Sequence, residues 1–91
     1  GEKVWRLPLD QAYDDELKST IADLKNTGKE GSAGASSAAM FLKRFAGEQP
    51  WAHLDIAGNA LTATDTAVVP AGATGYGVRL LSTWLTQPKA K

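Results

Sequence analysis

The 91-residue chain has no cysteine, one histidine and no excess of either charge. Without cysteine it can form neither a disulfide framework nor a thiolate zinc site. Its ten acidic and ten basic residues cancel, so no global field draws it to nucleic acid or to an anionic membrane. No apolar run approaches the ~18 residues that a membrane helix needs, and the first residues lack the apolar region of a signal peptide. We therefore expect a cytoplasmic protein with no nucleic-acid partner and no membrane partner.

The first part of the chain predicts a strand followed by a helix. Residues 4–9 alternate apolar and mixed side chains, which favours a strand. Asp10 follows and offers a carboxylate that can cap a helix. In that helix Tyr13, Leu17 and Ile21 are four residues apart, which predicts a buried stripe.

A polar, glycine-rich connection at residues 25–34 separates this helix from a second one, predicted at residues 35–46. Gly47 is the expected C-terminal cap of the second helix. The residues expected on its buried face are mostly small, which indicates close packing against a neighbouring element. They are Ala35, Ala38, Ala39, Leu42 and Phe45.

The second half of the chain predicts one more strand and one more helix. Residues 51–56 carry large or specific side chains on both faces, as expected for a strand inside a sheet that is covered on both sides. Residues 59–74 are interpreted as a flexible loop. Apolar spacing predicts a third helix at residues 78–85, which Pro88 closes, and residues 88–91 are interpreted as a tail.

This order of elements predicts an α/β fold in one segment, residues 1–91. We expect a partial sheet of two or three strands flanked by about three helices. Two strands cannot satisfy their own edges, and an isolated pair is marginal in water. The sequence therefore predicts pairing with a larger sheet or with another chain.

His53 and Asp55 are the first candidates for chemistry. On a strand they would share one face, and a histidine–carboxylate pair can orient a general base or a metal ligand. Neither a nucleophile nor a second histidine accompanies them, however. A hydrogen-bonded structural pair is therefore the preferred interpretation, and a small hydrolase that uses His53 and Asp55 is a minor alternative.

Two glycine-containing segments resemble nucleotide-binding loops only in composition. Residues 28–32 combine glycine, lysine and serine before a helix, but they lack the spacing of a phosphate-binding loop. Gly72, Gly75 and Gly77 do not have the order of a dinucleotide fingerprint. The carboxylates are not clustered as a two-metal centre requires. The sequence therefore predicts no catalytic residue and no metal ligand in this chain.

Several strings, in order along the chain, carry a specific resemblance. They are Val4-Trp-Arg-Leu-Pro-Leu9, Ala22-Asp-Leu-Lys-Asn-Thr-Gly28, Ser32-Ala-Gly34 with Ala38-Ala39-x-Phe41-Leu42-Lys43-x-Phe45, Trp51-Ala-His-Leu-Asp-Ile-Ala-Gly58 and Gly72-Ala-Thr-Gly-Tyr-Gly-Val-Arg-Leu-Leu81. Together they resemble the C-terminal end of the catalytic domain in the M17 leucyl aminopeptidase (cytosol aminopeptidase) family. The resemblance implies a C-terminal piece of that domain.

The resemblance implies a hydrolase that releases N-terminal amino acids, often leucine, from peptides. In the family, two divalent ions (zinc, manganese or magnesium) activate a water molecule and polarise the scissile carbonyl. The family's Asn-Thr-Asp-Ala-Glu-Gly-Arg motif, which supplies metal ligands, is absent here. The resemblance therefore implies that this chain holds no metal cofactor and is inactive alone.

The resemblance also implies three substrate-pocket residues. Ala57 and Ala60 match positions that line the site for the N-terminal side chain, and Thr27 matches a position beside the site for the following side chain. Ala60 is smaller than the methionine that some family members have there, which implies a roomier pocket.

Two partner arrangements follow. In the first, the chain contributes pocket wall and core packing to the remainder of an aminopeptidase, which is a hexamer in the family. In the alternative, it is an independently encoded, non-catalytic module that associates with copies of itself.

Overall fold

The first helix begins where the sequence places an acidic cap. The computed structural model describes residues 1–88, and its helix α1 spans Gln11–Asp15. Asp10 is extended, and its Oδ1 accepts a hydrogen bond from the Ala12 amide at 2.9 Å. This satisfies one of the amides that a helix start leaves unpaired. The predicted cap is confirmed.

α1 is shorter than the predicted stripe requires. Leu17 is buried and Tyr13 is partly buried, but Ile21 is 96% exposed. After Asp15 the chain leaves the helix, and the Lys25 amide donates to the Leu17 carbonyl at 2.8 Å. Helical spacing therefore no longer applies at Ile21, and the prediction that it is buried is wrong.

The second helix, α2, spans Gly34–Ala46 and ends at Gly47, as predicted. Gly47 has a φ of 63°, a left-handed value that glycine adopts without the strain of a side chain. The buried face differs from the expected one, since it consists of Ser36, Ser37, Ala39 and Met40.

Within the predicted α2 face, only Ala39 is fully buried, and Phe45 is 72% exposed. The physical reason is polar contact. Ser36 Oγ donates to the Pro8 carbonyl at 2.9 Å, and Ser37 Oγ donates to the Glu16 carboxylate at 3.0 Å. These bonds turn the serine side of α2 toward α1, with which it packs.

The strands predicted at residues 4–9 and 51–56 do not form, because both segments lack regular secondary structure. The sheet found among residues 1–88 consists of β1 (Leu61–Thr62) and β2 (Gly72–Ala73). A strand exists only where a neighbour satisfies its backbone groups. Neither predicted segment has such a neighbour in the described part of the chain.

The two observed strands lie inside the segment predicted as a loop, residues 59–74. They are antiparallel, and Leu61 pairs with Ala73 while Thr62 pairs with Gly72. The connection between them is closed by the Thr66 amide, which donates to the Val69 carbonyl at 2.8 Å. This segment is therefore a short hairpin rather than a plain loop.

The third helix, α3, spans Val78–Thr86 and follows Gly77, whose φ is 94°. The predicted helix is confirmed. Its apolar residues Val78, Leu81 and Trp84 are exposed. In the predicted tail, residues 89–91 lie outside the described residues.

The chain divides into two compact units. The central unit is Trp5–Leu54, and the terminal unit comprises Gly1–Val4 with the chain from Asp55 onward. Within residues 1–88 the buried hydrophobic side chains are Leu17, Ala39 and Met40, all three in the central unit.

The described residues thus form three helices and one two-stranded antiparallel sheet, a small α/β piece. None of these helices has the length and apolar character required to cross a membrane.

Candidate functional site

A single carboxylate holds the glycine-rich connection between α1 and α2. Glu16 lies at the end of α1, and its Oε2 accepts three hydrogen bonds. The donors are Ser32 Oγ at 2.7 Å, Ser37 Oγ at 3.0 Å and the Lys29 amide at 3.4 Å. We call Glu16 and these three partners the Glu16 clamp. It joins α1, the connection and the first turn of α2.

The clamp favours the charged carboxylate. The hydrogen bond from the Ser32 hydroxyl lowers the pKa of Glu16 and outweighs the opposing effect of burial. The hydrogen bond from Ser37 and the bond from the Lys29 amide lower it further. Glu16 is therefore charged at neutral pH, the form that accepts these hydrogen bonds.

Gly28 packs directly against the clamp. A Cβ placed on Gly28 would lie 2.8 Å from Ser37 Cβ and 2.9 Å from Ser37 Oγ, closer than real Cβ contacts. This position thus requires glycine for close approach rather than for an unusual φ. Thr27, the predicted pocket residue, directly precedes Gly28 and is exposed.

Ala57 and Ala60 lie together in a turn of the terminal unit that leads into β1. Asp55 Oδ1 accepts from the Ala57 amide at 3.0 Å, and the Asn59 amide donates to the Ile56 carbonyl at 2.9 Å. The Ala60 carbonyl accepts from the Thr74 amide at 2.9 Å, which continues the β1–β2 pairing.

Ala57 is exposed and Ala60 is half-buried. The structure thus brings these two predicted pocket residues into one turn. Thr27 belongs to the central unit, and its place in the same pocket stays a prediction.

His53 and Asp55 do not form the predicted structural pair on a strand. The segment is not a strand, so a spacing of two does not give the residues a common face. The His53 ring stacks on Trp51 instead, with ring centroids 6.1 Å apart and planes 17° apart. Asp55 uses Oδ1 to hold the turn at Ala57.

The model of the cytosol aminopeptidase family, catalytic domain, matches residues 1–82. The chain belongs to this family.

Curated relatives agree with the assignment to the cytosol aminopeptidase family. The "Probable cytosol aminopeptidase 1" of Shewanella oneidensis is 96% identical over 91 residues, which are 100% of this chain and 18% of the relative. The "Probable cytosol aminopeptidase" of Nostoc punctiforme is 56% identical over 85 residues, 93% of this chain and 17% of that protein. That of Synechococcus sp. strain JA-3-3Ab is 54% identical, with 93% and 16% covered. The chain thus spans less than a fifth of the length of these relatives.

The two divalent ions implied by the resemblance to this aminopeptidase family need clustered donors. Among residues 1–88, no group of three or more histidine, aspartate or glutamate side chains is placed to hold a metal ion. The donors in the described part of the chain therefore do not fit a two-metal centre.

Sequence reasoning missed one further contact in this aminopeptidase segment, the ion pair between Asp14 and Arg44. Arg44 Nε donates to Asp14 Oδ1 at 2.7 Å, and Nη2 donates to Oδ2 at 2.5 Å. The hydrogen bond from Arg44 lowers the pKa of Asp14, although burial opposes it. No local spacing signals a partner 30 residues away. The Glu16 clamp, whose serines lie 16 and 21 residues from Glu16, was missed for the same reason.

Proposed function

We propose that this chain is a C-terminal segment of a cytosol aminopeptidase. The enzyme releases N-terminal amino acids from peptides in the cytoplasm with two divalent ions, zinc, manganese or magnesium. The segment supplies pocket wall and packing surface, while other residues of the enzyme hold the metals, so the isolated chain is inactive. The observation that carries this proposal is the family match over residues 1–82 in a chain that spans 18% of a 96% identical relative.

Exposed apolar side chains support the packing role. In α3, Trp84 is 68% exposed and Leu85 is 72% exposed, and Val78 and Leu81 are exposed as well. Apolar surface favours burial by about 25 cal/mol for each Å² removed from water. A helix with its apolar residues in water therefore favours a covering partner. We propose the remainder of the aminopeptidase as that partner, within a hexamer.

Small side chains support the pocket role. Ala57 and Ala60 end at Cβ, and their backbone is fixed by the hydrogen bonds of the turn. Such positions leave room for a substrate side chain while the wall stays in place. We assign Ala57 and Ala60 to the site for the N-terminal side chain of the peptide. Thr27 lies beside the site for the following side chain.

The activity of the isolated chain tests whether the metal-binding residues lie outside this segment, as we propose. The purified 91-residue chain is assayed on a leucyl chromogenic substrate with added manganese or zinc, next to the longer enzyme that contains this segment. We expect turnover by the longer enzyme and none by the segment. Turnover that stays with the segment through further purification would show that it holds a complete active site.

A second function, a non-catalytic module that associates with itself, is favoured by the same exposed face of α3. Sedimentation distinguishes the two. A compact oligomer whose size does not change with concentration supports the module, whereas aggregation or an unfolded monomer supports the segment of a larger enzyme.

A further inference from the structure

We propose that Glu16 is a positioning residue for substrate selection. By holding the connection that carries Thr27, it determines which side chain the aminopeptidase accepts immediately after the scissile bond. This inference rests on the proposed function, and it adds a residue that never touches the substrate.

The hydrogen bonds of the clamp enclose the connection. Glu16 Oε2 accepts hydrogen bonds from the Lys29 amide, within the connection, and from Ser32 Oγ, near the end of the connection that leads into α2. The same oxygen takes Ser37 Oγ from α2. Because three donors converge on one atom, loss of that atom releases the connection at several points at once.

Close packing transmits the position of the clamp to Thr27. Gly28 lies against Ser37 and the Glu16 carboxylate so tightly that even a methyl group does not fit. The backbone of Thr27 is joined directly to that of Gly28. A shift of the clamp therefore moves Thr27, while the exposed Thr27 side chain takes no part in the clamp.

The elements that carry the clamp are themselves joined by hydrogen bonds. Glu16 follows α1, and α1 is tied to α2 by the paired hydrogen bonds between Asp14 and Arg44. The segment before α1 is tied to α2 by Ser36 Oγ, which donates to the Pro8 carbonyl. A site residue held this way keeps a narrow range of positions, which is what discrimination between substrates requires.

The test uses the longer aminopeptidase that contains this segment and three variants. Glu16→Leu removes the acceptor. Glu16→Gln keeps one side-chain oxygen, which is enough because all three bonds use a single oxygen. Asp15→Leu is the matched control, since Asp15 pairs with Lys18 at 2.8 Å and lies outside the clamp.

The measurement is kcat/KM on two leucyl dipeptides, one with glycine and one with leucine as the second residue. We expect Glu16→Leu to change the ratio of the two values by about tenfold, the effect of a displaced pocket wall. Glu16→Gln should keep the ratio within about twofold, as should Asp15→Leu.

The outcomes separate this inference from the proposed function. A Glu16→Leu enzyme that loses activity equally on both dipeptides, with an unchanged ratio, overturns the positioning role and leaves the aminopeptidase assignment intact. An unmodified longer enzyme that hydrolyses neither dipeptide refutes the proposed function itself. If Glu16→Leu does not fold, the reciprocal change Ser32→Ala with Ser37→Ala removes two of the three donors. We then expect the ratio in this double variant to differ severalfold from that of the unmodified enzyme, and an unchanged ratio overturns the positioning role.

Discussion

Asp14 and Arg44, 30 residues apart, are joined by two parallel hydrogen bonds between the buried carboxylate of α1 and the guanidinium near the end of α2. The planar guanidinium matches a carboxylate in this geometry, and a lysine cannot reproduce it. The pair also neutralises the buried charge of Asp14. The pair therefore ties α1 to α2 within the central unit.

The Asp14–Arg44 pair makes the stability of the folded state depend on pH. Because the hydrogen bond from Arg44 lowers the pKa of Asp14, the unfolded chain binds a proton at a higher pH than the folded chain does. The stabilisation is therefore complete above the ordinary aspartate pKa of ~3.9 and is lost as the pH falls through the lowered value. The Glu16 carboxylate, whose pKa is also lowered, acts in the same direction.

Arg44→Leu tests this contribution. We expect the longer aminopeptidase that carries Arg44→Leu to be less stable than the parent enzyme at pH 7, and its stability to fall less between about pH 5 and pH 2. Urea unfolding midpoints across that range provide the measurement. Lys43→Leu, at the exposed neighbouring position, is the control and should follow the parent curve. Parallel curves for Arg44→Leu and the parent would contradict the assignment.

Gly28→Ala should destabilise the central unit. The added methyl group must displace Ser37 or the Glu16 carboxylate, and overpacking of this kind costs about 1–3 kcal/mol. Gly34→Ala is the matched control, because a Cβ at Gly34 meets nothing within 4 Å. Gly34 opens α2 and is not among the glycines with positive φ, so alanine fits there and should stabilise by about 0.4–1 kcal/mol because it lowers the entropy of the unfolded chain. Chemical denaturation of both variants in the longer aminopeptidase should give changes of opposite sign, and equal changes would refute the packing argument.

Glu2→Ala should weaken the start of α3. The Glu2 carboxylate accepts from the Gly77 amide at 3.0 Å and from the Leu80 amide at 2.8 Å, so it caps the helix from 75 and 78 residues away. Loss of a cap costs about 1 kcal/mol, which corresponds to roughly fivefold faster amide exchange in the first turn of α3.

Hydrogen exchange of the α3 amides in the longer aminopeptidase measures the effect of Glu2→Ala. Lys3→Ala should leave exchange unchanged, because Tyr76 Oη donates to the backbone carbonyl of Lys3 rather than to its side chain. Unchanged protection of α3 in Glu2→Ala would show that the carboxylate does not cap the helix.

Ala60→Met in the longer aminopeptidase should narrow the site for the N-terminal side chain. We expect kcat/KM for a peptide with N-terminal phenylalanine to fall by about tenfold relative to one with N-terminal alanine, since the larger side chain fills the pocket. Ala63→Met, at an exposed position of the β1–β2 connection, is the control. An unchanged preference in Ala60→Met would place Ala60 outside the pocket.

The outcome for α1 shows how far local signals reach. The cap at Asp10 was predictable because its partner amide is two residues away. The exposure of Ile21 was not predictable, because it depends on where the chain turns after Asp15. The strands expected at residues 4–9 and 51–56 failed for a related reason. Their alternating patterns indicate strands only where a neighbouring strand can complete the backbone hydrogen bonds.

In the candidate site, too, some features could be predicted from the sequence and others depend on contacts between residues far apart in the chain. The ordered strings identified the family and, through it, predicted Thr27, Ala57 and Ala60 as pocket residues, and these roles stay predictions. The turn that holds Ala57 and Ala60 became apparent only in the structure, as did the clamp beside Thr27.

The sequence by itself determined the family, the helix cap at Asp10, the end of the second helix at Gly47, the place of the third helix, and the lack of cysteine. Each of these depends on residue identity or on neighbours a few positions away. Only the tertiary structure decided that Glu16 holds the connection, that Arg44 pairs with Asp14, and that the apolar residues of α3 face solvent in this chain. These contacts join residues far apart in sequence, and they exist only after the chain has closed on itself, so no local pattern encodes them.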